Sequence, residues 1–111
     1  MSLVTFEQLL AKIKTVSCEE VRAMGDEYCE VVVSKANMQG MTNVLLEYFG
    51  QPLKPEGKET GKEAGAIAKP YGGVYESQTL YFRKNESDSV VALLWPWSGG
   101  NPVTIKVILR K

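Results

Sequence analysis

This sequence predicts an α+β fold: N-terminal helices packed on one face of a small, mainly antiparallel sheet that ends in a three-stranded meander. Three observations carry that expectation. Before residue 50 the apolar residues recur mostly with helical spacing, after residue 73 with the two-residue period of strands, and a β-branched run interrupts the helical half near residue 30. The 111 residues fit one domain, 1–111, and their 44% hydrophobic content suffices for a modest core.

The elements follow in order. Thr5 with Gln8 reads as a capping box, and Phe6, Leu9, Leu10 and Ile13 follow at helical spacing, so the first helix is expected over residues 6–15. Ser17 with Glu20 repeats the capping signal, with Val21 and Met24 inside and Gly25 as a stop, which predicts a second, short helix. The run Tyr28-Cys29-Glu30-Val31-Val32-Val33 is rich in residues that lose rotamer freedom in helices, and reads as a strand. A helix continuation is the competing reading of that run, and its place in the sheet is not legible. Asn37 then caps a helix with Met38, Met41, Val44, Leu45, Tyr48 and Phe49 as its apolar stripe, ended by Gly50 and Pro52. Gly40 inside it costs about 1 kcal/mol against Ala, and close packing against a neighbour would be one reason to accept that.

From Val74 to Lys84, Ser89 to Trp95 and Val103 to Arg110 the pattern reads as three strands. Polar Asn85 to Asp88 and the Gly-containing stretch between Pro96 and Pro102 supply the turns. The middle strand is apolar on both faces and should lie inside the sheet. The last alternates, except that Ile108 breaks the pattern and is a candidate partner contact.

Between the two halves lies a Gly/Lys-rich interlude at about 51–73 with no hydrophobic period. Such interludes are uncommon inside compact domains and are usually functional or disordered. Its near repeat, Gly57-Lys58-Glu59-Thr60 then Gly61-Lys62-Glu63-Ala64, does not make a phosphate-binding loop. The spacing is one residue short, and Glu63 stands where a metal-binding hydroxyl belongs. A helix would align Gly57, Gly61 and Gly65 on one face at a cost of about 3 kcal/mol. A mobile, solvated loop is therefore the preferred reading, with the glycine-faced helix as the alternative.

Several function classes drop out. The chain has no histidine, which removes the usual general base and the commonest metal ligand, and with them Ser-His-Asp and Cys-His systems within one chain. No metal site or cofactor is expected. Thirteen basic and thirteen acidic residues cancel, so no nucleic-acid or anionic-membrane partner is expected either. No stretch reaches the roughly 18 apolar residues of a membrane span, and the opening residues do not resemble a signal-peptide core. Cys18 and Cys29 form no CxxC pair, making a cytoplasmic setting the default. Cys29 reads as a buried apolar group. Cys18 reads as a thiol in a first helical turn, where amide dipoles favour thiolate and the adjacent Glu19 and Glu20 oppose it.

The leading expectation is a non-catalytic cytoplasmic binding or accessory protein acting through the interlude and the aromatic turns beside it. The candidate residues are Lys58, Lys62 and Lys69 with Tyr71, Tyr75, Trp95 and Trp97, because Trp and Tyr anchor interfaces at low entropy cost. For Trp95 a core role is preferred. The partner is expected to be a protein or a small molecule, and a homodimer through the C-terminal strand is a further expectation, since strand edges pair readily. A small His-independent enzyme with a Glu/Tyr/Lys site and a structural subunit of a larger assembly are the alternatives.

Overall fold

Residues 5–55, 57, 61–71, 78–97, 99 and 101–110 are described by the structure, a computed structural model. Its elements run α1 (Phe6–Lys14), β1 (Glu20–Met24), β2 (Tyr28–Val33), α2 (Met38–Phe49), α3 (Lys62–Ala68), β3 (Thr79–Lys84), β4 (Ser89–Pro96) and β5 (Val103–Arg110). The five strands form one sheet in the order β1-β2-β5-β4-β3, with every neighbouring pair antiparallel. The α+β arrangement with a C-terminal meander is therefore as expected.

Local chemistry explains the first two helices. The Thr5 hydroxyl accepts from the Gln8 amide and the Gln8 side chain accepts from the Thr5 amide, a complete capping box. α2 follows a single 3-10 turn at Lys35–Asn37 and stops at Gly50, whose φ of 78° is the left-handed conformation that favours glycine. Leu9, Leu10 and Ile13 of α1 and Met41, Leu45 and Tyr48 of α2 bury against one sheet face. That face presents Cys29, Val31 and Val33 of β2, Val90, Ala92 and Leu94 of β4, and Val103, Ile105 and Val107 of β5. Gly40 departs from expectation: it is exposed, and a Cβ there would meet nothing within 4 Å, so close packing does not explain it.

The predicted second helix is instead β1. Glu19 N donates to Val32 O at 2.7 Å, Glu20 lies opposite Val32, and Gly25 N donates to Tyr28 O at 2.8 Å to close the hairpin. So short a helix nucleates poorly, whereas β2 offers a complete ladder to pair with. Glu20 consequently caps nothing; it pairs with Arg22. Cys18 lies outside any helix, its Sγ donates to Val16 O at 3.4 Å, and burial raises its pKa.

The loop reading of the interlude is also overturned for residues 62–68, which form α3. Ala64 and Ala68 are buried and Ile67 half-buried, and the helix lies on the sheet face opposite α1 and α2, against Leu80, Val91, Leu93, Phe82 and Trp95. The three repeat glycines do not line one helix face. Gly57 turns the chain with φ of 80°, Gly61 is the N-cap of α3, and Gly65 lies within it. Upstream, Lys54 exchanges two backbone hydrogen bonds with Leu80 at 3.2 and 3.0 Å, extending the β3 edge by one bridge.

Strand β4 carries Val90, Ala92 and Leu94 toward α1 and α2 and Val91 and Leu93 toward α3, which is why it is apolar on both faces. β5 is the middle strand, paired to β2 and β4, so the expected homodimer through the C-terminal strand has no free edge to use. Ile108 is half-buried opposite Tyr28 and Val91. The expected strand residues 74–77 lie outside the described residues.

Candidate binding site at one end of the sheet

At one end of the sheet β3 and β5 begin, β2 and β4 end, and the N-terminus of α2 lies nearby. The corner from Trp97 to Pro102 joins β4 to β5. Trp97 N donates to Pro102 O at 2.9 Å, and the Asn101 side-chain oxygen accepts from Lys35 N at 2.8 Å, tying the corner to the start of α2. A cleft opens on each side.

On the side away from α1 and α2, a groove of about 460 Å³ is lined by Glu19, Glu20, Val32, Ser34, Trp97, Asn101 and Pro102. Trp97 remains 44% exposed, yet its orientation is fixed, because its indole Nε1 donates to Thr104 Oγ1 at 2.7 Å. The ring shields the facing pair Val32 and Thr104, which are 2% and 6% exposed although no described helix covers them. The guanidinium of Arg22 lies 5.6 Å from the Trp97 ring centroid, and Lys106 Nζ lies 4.7 Å from that of Trp95.

Arg22 is held by Glu20 at 3.1 Å and Glu30 at 3.5 Å, and the Tyr28 hydroxyl donates to Glu30 at 2.6 Å. The Tyr28 hydrogen bond, with Lys106 and Arg22 beside it, holds the Glu30 carboxyl below the usual carboxylate range. Burial and the Glu30 carboxylate push the Tyr28 phenol up. Both shifts lead away from neutrality, so this pair is badly set for proton transfer near pH 7. Cys29, buried in the core, has its thiol pushed up to about 11, chiefly by burial.

On the helix side, a cleft of about 420 Å³ is lined by Lys35, Met38 and Thr42 at the start of α2, and by Thr79, Tyr81, Leu94, Pro96 and Val103 of the sheet. Antiparallel pairing brings Thr79 opposite Leu94 and Pro96 opposite Val103.

Of the candidate residues, the structure brings Trp95 and Trp97 together at this end. Trp95 is half-buried against the Val91 and Leu93 cluster, in keeping with a core role. Lys62, the first residue of α3, and Lys69, just after its end, are exposed and line neither cleft. Tyr71 ends a 3-10 turn, with its side chain outside what is described, and Lys58 and Tyr75 lie outside the described residues altogether.

Sequence reasoning missed two residues. Lys54 is 1% exposed, with Nζ donating to Gln78 O at 2.5 Å. Its setting between Pro52 and Pro55 signals extended backbone and was the available clue. Tyr81 reads as an ordinary strand aromatic, and only the tertiary fold places it in a cleft. Among the described residues no three His, Cys, Asp or Glu side chains converge on a metal-sized space, and no helix is long and apolar enough to cross a membrane. Comparison with family models, curated proteins and solved structures gives no match to this chain.

Proposed function

We propose that this chain is a non-catalytic binding or accessory protein that engages a partner protein through the open sheet face around Trp97. One observation carries the reading: a 44%-exposed indole, immobilised by its bond to Thr104, stands beside a groove instead of packing into the core. A rigid, half-open aromatic gives up little entropy on contact, the usual property of an interface anchor. The Glu30–Tyr28 pair favours binding over acid–base chemistry, for the reason given above. A cytoplasmic setting is part of the proposal and is supported by the unpaired thiols of Cys18 and Cys29.

Native mass spectrometry of protein purified from its own host tests this, with Trp97→Ala beside the parent chain. The expected result is a bound partner chain that Trp97→Ala loses while circular dichroism remains unchanged. A partner retained by the variant, or a parent chain that is only ever monomeric, would refute it.

A further inference from the structure

We propose that the cleft on the helix side of the sheet end is a binding site for a small organic monoanion, a carboxylate carrying a short apolar body. The argument starts from Tyr81, which is 4% exposed. Among the described residues its hydroxyl has no hydrogen-bond partner, while every fully sealed side-chain nitrogen or oxygen has one. The phenol oxygen is therefore not sealed, and Tyr81 is one of the residues that line the cleft. A largely buried phenol that lines a cleft and has its hydroxyl unpaired is a hydrogen-bonding position available to a ligand. Burial raises the pKa of this phenol, so it is a donor at neutral pH.

The surroundings define what that partner is. Thr79, two residues before Tyr81 on β3, shares its face of the strand, and Thr42 adds a second hydroxyl from α2. Leu94 and Val103, each 7% exposed, form the apolar floor with Met38 and Pro96. Lys35 is the single charged side chain among the described lining residues, none of which is a carboxylate that could bind a cation. The N-terminal end of α2 adds positive potential of the same sign. One lysine without an arginine suits a single negative charge better than a phosphate dianion. A volume of about 420 Å³ limits the ligand to a small molecule.

Titration of the full chain with hexanoate, followed by amide chemical shifts, tests the assignment, with hexanamide as the uncharged control. Saturable shifts centred on residues 35–42 and 79–81 are expected, with hexanoate binding about tenfold more tightly than hexanamide. Lys35→Gln, at an exposed position, should weaken hexanoate about tenfold and leave hexanamide unchanged. Tyr81→Phe, which keeps the ring and its packing, should weaken both. Trp97→Ala should alter neither, which separates this site from the partner surface on the other face. Equal affinity for the two probes, shifts centred on Trp97, or no saturable binding would overturn the proposal.

Discussion

Replacing Leu93 by Ala asks whether α3 truly covers the β3–β4 part of the second sheet face. Leu93 is fully buried, and its neighbours there are Ala68, Leu80 and Val91, with Ile67, Phe82 and Trp95 at the margin. Removing three carbons forfeits about 2.4 kcal/mol of transfer free energy at ~0.8 kcal/mol per methylene. Incomplete collapse of the resulting hole raises the total to about 3 kcal/mol. With a urea slope of about 1–1.5 kcal/mol/M for a chain of this size, the unfolding midpoint should fall by about 2–3 M. Leu45→Ala, equally buried under α2 on the opposite face, supplies the control and should cost a similar amount. Were α3 a solvated loop, Leu93 would lie on an open sheet and its truncation would cost under about 1 kcal/mol. A small loss at Leu93 beside a large one at Leu45 would therefore refute the seating of α3.

Two further outcomes follow from single residues. Gly40→Ala should stabilise the chain by about 0.5–1 kcal/mol, because Ala is the better helix former and its Cβ meets open space; a fall in thermal midpoint would count against that account. Glu30 has a depressed folded pKa, so its contribution is present above the ordinary carboxylate range and is lost as pH falls through the folded value. Tyr28→Phe removes the largest cause of that depression and should move the acid-unfolding midpoint to higher pH, while an unchanged midpoint would assign the depression to Arg22 and Lys106 instead.

Legibility in the sequence followed the range of the interactions involved. The last strand is expected and found from Val103 to Arg110, α1 agrees with its capping box and α2 with its glycine stop, because alternation, capping and a glycine stop act within a few residues. The Asn37 side chain, expected to cap α2, makes no capping bond and donates to Ser34 Oγ instead. β1 was not legible. Ser17 and Glu20 carry the same letters in a capping box and in a strand, and the deciding partner, β2, begins beyond a turn. The shortness of α3 hid it differently. Its apolar stripe is Ala64, Ile67 and Ala68, too weak to register as a hydrophobic period, yet small enough to let the helix sit close to β3 and β4. Lys54 counts as a solvated charge in any composition, and its backbone bridge to Leu80 together with the bond from its Nζ to Gln78 O holds it inside. The helix-side cleft takes residues from α2, β3, β4, β5 and the turn before α2, so no local spacing could have assembled it.

The two clefts stand back to back across one corner of chain. Pro96 and Val103 wall the helix-side cleft, while Trp97, Asn101 and Pro102 wall the groove on the other face. The Asn101 bond to the backbone of Lys35 holds the corner against the start of α2. A displaced corner would disturb both clefts, whereas Lys35 and Trp97 line one of the two clefts each. The pair of variants therefore separates local recognition from a general distortion. If Lys35→Gln weakens only hexanoate and Trp97→Ala only the partner, each side chain acts where it points. If either variant abolishes both, the corner has moved, and the loss belongs to the turn and not to the residue replaced.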